Sequence, residues 1–395
     1  MATSPEWTSV LNRRRATLRV SVIAVVSRRA WLQGAALAVA APMIQRGRFC
    51  LLAQSSIAYS ALTLELVQRS TVIDMLGLLT LDYSRLCSWE AEPGYFAPQD
   101  FEKLKASGTT IFHPAVGFTG ADVYASSLRD IIGWNKFIAS HAGEFLRVNC
   151  AADLETAKAS GKIGIVIGQQ NSRHFRTVED VDRFYTLGQR VSQLTYDDNE
   201  IGGGSIDRRD PGLHEYGARI ITRMNALGMA VDVSHCSDRT TLDALSVSRK
   251  PALVTHSNCR ALVPGSARCK TDEAIRLLAA KGGVIGITMV RNFVQASGSA
   301  TIENVLDHID HVAGLVGVEH VGIGSDVDLE GRDAHIRPRK KFDLDGVDYS
   351  QKIFDLTEGL VRRKYSKEDI ALILGGNFQR VLSAIWSPDA PPAAA

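Results

Sequence analysis

Two short apolar runs of this chain stop at histidine: Val231-Asp232-Val233-Ser234 runs into His235, and Leu253-Val254-Thr255 into His256. A strand buried on both faces of a parallel sheet reads as such a run, and the residue where it stops lies at the strand's carboxyl end. Val321-Gly322-Ile323-Gly324-Ser325 stops in the same way at Asp326. A lone strand-end histidine is ordinarily a hydrogen-bonded structural residue. Two of them about one βα unit apart, with a carboxylate at a later strand end, form the ligand set of a catalytic zinc site that keeps one position open. Zinc held by neutral imidazoles lowers the pKa of a bound water to about 7 and so supplies hydroxide for attack on an amide carbonyl. Asp326 would serve there either as a ligand or as the base that takes the water's proton and returns it to the leaving amine.

The elements that must position these residues alternate regularly. Strand candidates fall at 71–76, 109–114, 162–168, 191–196, 229–233, 252–255, 283–288 and 320–325. Amphipathic stretches lie between them, among them 99–106, 128–142, 181–187, 216–227, 239–246, 272–280 and 302–316. Eight strands alternating with helices predict an α/β fold of the (β/α)₈ TIM-barrel type, whose chemistry sits at the carboxyl ends of the strands. Those ends carry Asp74, His113, Gln169 and Gln170, Tyr196, His235, His256, Thr288 and Asp326. A doubly wound sheet, the main rival, would scatter them on two sides of a switch point. His113 could reach the barrel mouth as a further ligand, although such a residue more often bonds a neighbouring backbone group. The long loop 197–211, with Gly202-Gly203-Gly204 inside it, reads as an active-site lid or rim. The basic segment 331–348 reads as a solvated loop.

The chain has 395 residues, a formal net charge of +2 and 45% hydrophobic content, which suits a large globular domain. No basic stripe interleaved with aromatics is present, so nucleic acid is not an expected partner. The six cysteines show no CxxC spacing, which argues against a zinc ribbon and leaves room for at most an isolated disulfide. Near the start, Ser27-Arg28-Arg29-Ala30-Trp31-Leu32-Gln33 precedes an Ala-rich apolar run through Ile44 that is too short to span a bilayer comfortably. This reads as a twin-arginine export signal and implies a periplasmic or exported protein; an ordinary extension on a cytoplasmic protein is the alternative. The organisation expected is an N-terminal extension over 1–55, a barrel over 65–385 and a disordered tail over 386–395. No stable membrane span is expected.

Several motifs together resemble the membrane (renal) dipeptidase family of zinc peptidases, over roughly residues 65 to 385 and in the family's order. They are Gly212-Leu213, Met224-Asn225, Gly228-Met229, Asp232-Val233-Ser234-His235, Thr255-His256-Ser257-Asn258-Cys259-Arg260-Ala261-Leu262, Gly322-Ile323-Gly324-Ser325-Asp326-Val327-Asp328 and Leu374-Gly375-Gly376-Asn377-Phe378-Gln379-Arg380-Val381. The resemblance implies a metallo-dependent-hydrolase-like barrel, usually with two zinc ions, that hydrolyses dipeptides and is often homodimeric. It makes His235 and His256 ligands of the second zinc, Asp326 the acid/base and Arg268 the arginine that binds the substrate carboxylate. An arginine suits that role, because its planar fork pairs both oxygens. Tyr196 takes the place of a substrate-contacting histidine. The first metal site departs from the pattern. Its His-x-Asp pair falls on Leu76 and Leu78, and the bridging glutamate falls on Gln170. The expectation is therefore a zinc dipeptidase with one ion, a second being doubtful, acting on a small dipeptide or dipeptide-like substrate. His113, Gln170 and Asp74 are candidates for a further ligand or for a residue bonded to one. The alternatives are a catalytically impaired barrel that binds a small ligand without turnover, or a hydrolase of another small amide.

Overall fold

The computed structural model describes residues 48–49, 58–206, 209–335 and 341–387. The twin-arginine segment and the rest of residues 1–47 lie outside them. Ten short strands form one parallel sheet: β1 (Ile73–Asp74), β2 (Ile111–Phe112), β3 (Phe145–Arg147), β4 (Ile163–Ile165), β5 (Gly168–Gln169), β6 (Val191–Gln193), β7 (Ala230–Asp232), β8 (Leu253–Ser257), β9 (Val284–Ile287) and β10 (Val321–Ile323). β4 and β5 are the two halves of the strand predicted over 162–168. The first half pairs with β2 and the second with β6, so the segment carries the sheet across and β10 closes back on β1, with Ile323 opposite Asp74. The result is the predicted eight-stranded barrel, with β3 added outside β4.

The strands are apolar on both faces because both faces are covered. Val191, Ala230, Leu253 and Val284 are fully buried in one cluster with Phe378, Val381 and Ile385, and Ile165, Val231, Val254 and Ile287 pack in the other. The helices next to the histidine-bearing strands start and stop on polar signals. α1 (Glu215–Leu227) ends on Gly228 at φ 79°, a left-handed cap that turns the chain into β7. α2 (Asp238–Val247) is capped by Ser237, and α3 (Asp272–Ala280) by Thr271, each side chain accepting a backbone N–H of the first turn. At Gly324 a Cβ would lie 1.8 Å from the Thr255 carbonyl oxygen. Glycine therefore lets the exit of β10 pass close to the strand that carries His256.

Several elements were not anticipated. β3 is three residues with no alternating pattern. Helices also form over Ala61–Arg69, Tyr83–Ala91, Ala151–Ser160, Lys352–Arg362 and Asn377–Trp386. The last runs to Trp386, which packs against the strand bottoms, and residues 388–395 of the expected tail lie outside the described residues. Cys87, Cys150, Cys236, Cys259 and Cys269 are all free thiols. Among the described residues no helix is long and apolar enough to cross a membrane.

Candidate active site

The two histidines are set by a carboxylate between their strands. Asp232, at the end of β7, accepts hydrogen bonds from Ser234 N (2.9 Å) and Oγ (2.5 Å) and from Thr255 N (3.1 Å) and Oγ1 (2.6 Å). It thus fixes the turn before His235 and the residue before His256 at once. Thr255 has one hydroxyl proton and gives it to Asp232, so its oxygen accepts Nδ1–H of His256 at 2.8 Å. That tautomer leaves the lone pair of His256 on Nε2. Nε2 of His235 lies 3.0 Å from Nε2 of His256. The Tyr196 ring stacks on His235 with centroids 4.4 Å apart and holds its plane. Burial, then the nearby cations Arg268, Lys270 and Arg332, keep His235 well below the usual histidine range, and burial, then Arg268, does the same for His256. Both imidazoles are neutral, the form that ligates metal.

Around this pair the charge is mostly positive. Arg268 is buried; its Nη1 donates to Ser234 O and its Nη2 to His256 O, both at 2.8 Å, while its buried Nε has no partner. It grips the backbone of both histidine turns and keeps a free donor. Lys270 Nζ donates to Cys236 O and Thr241 Oγ1, and burial lowers its pKa to about 8. Asp326 stands in the left-handed region at φ 57°, with its N–H held by Leu76 O at 2.8 Å. A non-glycine residue in that region stores strain that clusters at functional sites. Burial pushes its carboxyl up, and Arg332 and Arg268 oppose the shift. Arg332 Nη1 donates to Asp326 O (3.2 Å) and Oδ1 (3.4 Å).

Asp326, Arg332, Tyr196 and Gln170 share a cavity of about 110 Å³ whose remaining wall includes Leu78, Leu79, Thr80, Tyr83 and Val116. Leu78 and Gln170 thus put an apolar group and a neutral amide in this wall, and the Gln170 Nε2 donates to Ala115 O at 3.1 Å. Asp74 is not a free ligand: its carboxylate accepts from Ser325 N (2.8 Å) and Oγ (2.5 Å), latching β1 to the exit of β10. His113 gives its Nδ1–H to Met75 O at 2.6 Å, and its buried Nε2 has no partner. A Cβ on Gly168 would lie 2.0 Å from that Nε2, so the ring rests directly on the glycine. Among the described residues no third His, Cys, Asp or Glu joins His235 and His256 in a metal-binding group. The donors that the described residues offer an ion here are the two neutral imidazoles.

Arg332 and Lys270 are the residues the sequence reading passed over. Arg332 sits in the basic segment read as solvent-facing; its one signal was its place just after a strand-end aspartate, on the active face of a barrel. The Gly202-Gly203-Gly204 run is a rim rather than a lid. It is buried, Gly204 bridges Cys236, and Ser205 N donates to His235 O at 2.7 Å.

The sequence model of the membrane dipeptidase family, peptidase family M19, matches residues 99–389. Dipeptidase verJ of Clonostachys rogersoniana is 35% identical over 230 residues, 57% of this chain and 56% of that one. An uncharacterized dipeptidase of Schizosaccharomyces pombe is 36% identical over 222 residues, 53% of this chain and 52% of that one. The chain spans about half the length of the curated relatives it matches. An amidohydrolase from Pseudomonas aeruginosa superposes with a TM-score of 0.72 at 27% identity, covering 82% of this chain and 99% of that one. The probable dipeptidase PvdM of Pseudomonas aeruginosa, at 19% identity and a TM-score of 0.70 over 82% of this chain and 97% of that one, shares the fold.

Proposed function

We propose, from the premise that this chain belongs to the membrane dipeptidase family, that it hydrolyses the amide bond of a dipeptide or dipeptide-like substrate at a single zinc ion held by His235 and His256. The observation that carries the reading is the pair of neutral imidazoles with their Nε2 atoms 3.0 Å apart. A zinc ion bound there would supply Lewis-acid polarisation of the amide carbonyl and acidification of water. The chain's own residues do the rest. Asp232 and Thr255 keep the Nε2 lone pair of His256 available, and Tyr196 holds the His235 ring. The Asp326 carboxylate takes a proton from the attacking water and passes it to the leaving nitrogen as the C–N bond breaks. Arg332 and Arg268 counter the burial of Asp326 and so favour the ionised carboxylate that a base requires. Arg332, in the cavity wall, and the unpartnered Nε of Arg268 are the donors that this reading assigns to the substrate carboxylate.

The apolar and neutral residues Leu76, Leu78 and Gln170 favour one alternative, a barrel that binds its ligand without turnover. Metal content after mild dialysis and dipeptide turnover, measured on one sample, separate the two. About one zinc per chain with turnover lost on chelation is expected. Two tightly held ions would overturn the single-ion assignment, and binding of a dipeptide with no turnover would select the alternative. The reading also includes export through Arg28-Arg29 and a homodimeric assembly, the first resting on the sequence and the second on the family.

A further inference from the structure

A free dipeptide carries an ammonium group at the end opposite its carboxylate, and a buried ammonium requires an anionic partner. Among the described residues the cavity wall carries a single carboxylate, Asp326, and Arg332 already pairs with it. Four carboxylates beyond the wall are engaged as well. Asp74 is held by Ser325, and Asp232 by Ser234 and Thr255. Asp328 accepts from Leu81 N at 2.7 Å and pairs with His335 at 2.8 Å, and Asp130 accepts from Gln169 at 2.6 Å. Asp197, next to Tyr196, keeps one buried oxygen without a partner but is not part of the wall. Against these stand Arg268, Lys270 and Arg332, three cations around the two histidines. The other side of the cavity is formed by Leu78, Leu79, Leu81, Leu86, Val116 and Trp134, which offer a bed for an uncharged aliphatic group.

We infer that the substrate is an N-acyl amino acid: an amide with a free carboxylate at one end and, in place of a free amine, an uncharged acyl group seated among Leu78, Leu81, Leu86 and Val116. The inference rests on the hydrolase reading and narrows its substrate. The reaction consumes one water. The water oxygen bonds to the acyl carbon and the C–N bond breaks. The proton taken by Asp326 goes to the nitrogen, which releases a fatty or branched carboxylic acid and a free amino acid.

The test compares leucylalanine with 4-methylpentanoylalanine, which has the same skeleton with hydrogen in place of the amine. On the zinc-loaded full chain, kcat/KM should favour the acyl compound by about tenfold or more. Equal rates, or a preference for leucylalanine, would overturn the inference while leaving the hydrolase reading intact. If neither is hydrolysed, the hydrolase reading fails, and calorimetric binding of the same two compounds decides the inference. Tighter binding of the acyl compound by about tenfold sustains it, whereas equal, weaker or absent binding overturns it. In Leu86→Asp, a carboxylate in the wall should move the ratio toward leucylalanine by about the same factor. An unchanged ratio in a variant that melts like the wild type would remove the acyl group from this cavity. Should that variant not fold, the wild-type comparison stands as the test.

Discussion

Thr255→Val is the most informative single change, because it keeps the shape of a buried side chain and removes one oxygen from the path between Asp232 and His256. The hydroxyl donates to Asp232 Oδ2 at 2.6 Å, accepts from His256 Nδ1 at 2.8 Å and lies 3.1 Å from Ser234 Oγ. A hydrogen bond to a charged group contributes about 1.5–3 kcal/mol, and a buried N–H left without an acceptor costs about 1–3 kcal/mol. The added methyl group of valine recovers about 0.8 kcal/mol at most. Asp232 keeps its bonds from Ser234 N, Ser234 Oγ and Thr255 N, so the turn should hold. The net loss of stability should be about 2–4 kcal/mol, read by urea unfolding. The second effect separates function from stability. Without the Thr255 oxygen, nothing holds the proton of His256 on Nδ1, and the tautomer with a proton on Nε2 competes for the ligand position. Zinc affinity should fall about 10- to 100-fold, the range for losing a partner that orients a ligand. Competition against a chelating dye measures it. Wild-type zinc affinity in a variant destabilised as predicted would refute the argument that Thr255 sets the tautomer. Wild-type stability would refute the hydrogen-bond accounting itself.

Four other expectations follow from the same geometry. His235→Ala and His256→Ala should each lose metal retention and turnover while keeping a folded barrel by circular dichroism, since each removes one of two donors. Arg332→Met removes a cation that opposes the burial of Asp326; the Asp326 pKa should rise further, so the acid limb of the kcat/KM profile, which requires the ionised base, should move to higher pH. An unmoved limb would leave Arg332 a loop fastener. Burial, then Glu90, raises the Asp130 carboxyl to about 8; the folded state binds a proton that the unfolded chain has lost above about pH 4. Its stabilising contribution is thus complete below that pH and declines as pH rises toward 8, by up to about 1.4 kcal/mol per pH unit. Asp130→Asn should flatten that slope in urea melts taken across the range. Replacing Arg28 and Arg29 by lysine should trap the precursor in the cytoplasm, as fractionation would show; an unchanged location would make the segment an ordinary extension.

The sequence by itself determined the barrel and the positions of His235, His256 and Asp326. The reason is local: a strand buried on both faces must be apolar throughout, so the polar residue that ends it marks the carboxyl end where a barrel keeps its chemistry. The tertiary structure alone decided how polar groups far apart in sequence divide their bonds. Asp74, a candidate for a ligand or for a residue bonded to one, forms a latch to Ser325, 251 positions away. Arg332 looked solvated and is the partner of Asp326. Arg268 looked like a substrate clamp; it also ties down the backbone of both histidine turns, and only its Nε lacks a partner. Residue type states what a side chain can donate or accept, but barrel closure sets which groups meet, and a carboxylate or guanidinium buried by that closure must take the partners it finds there.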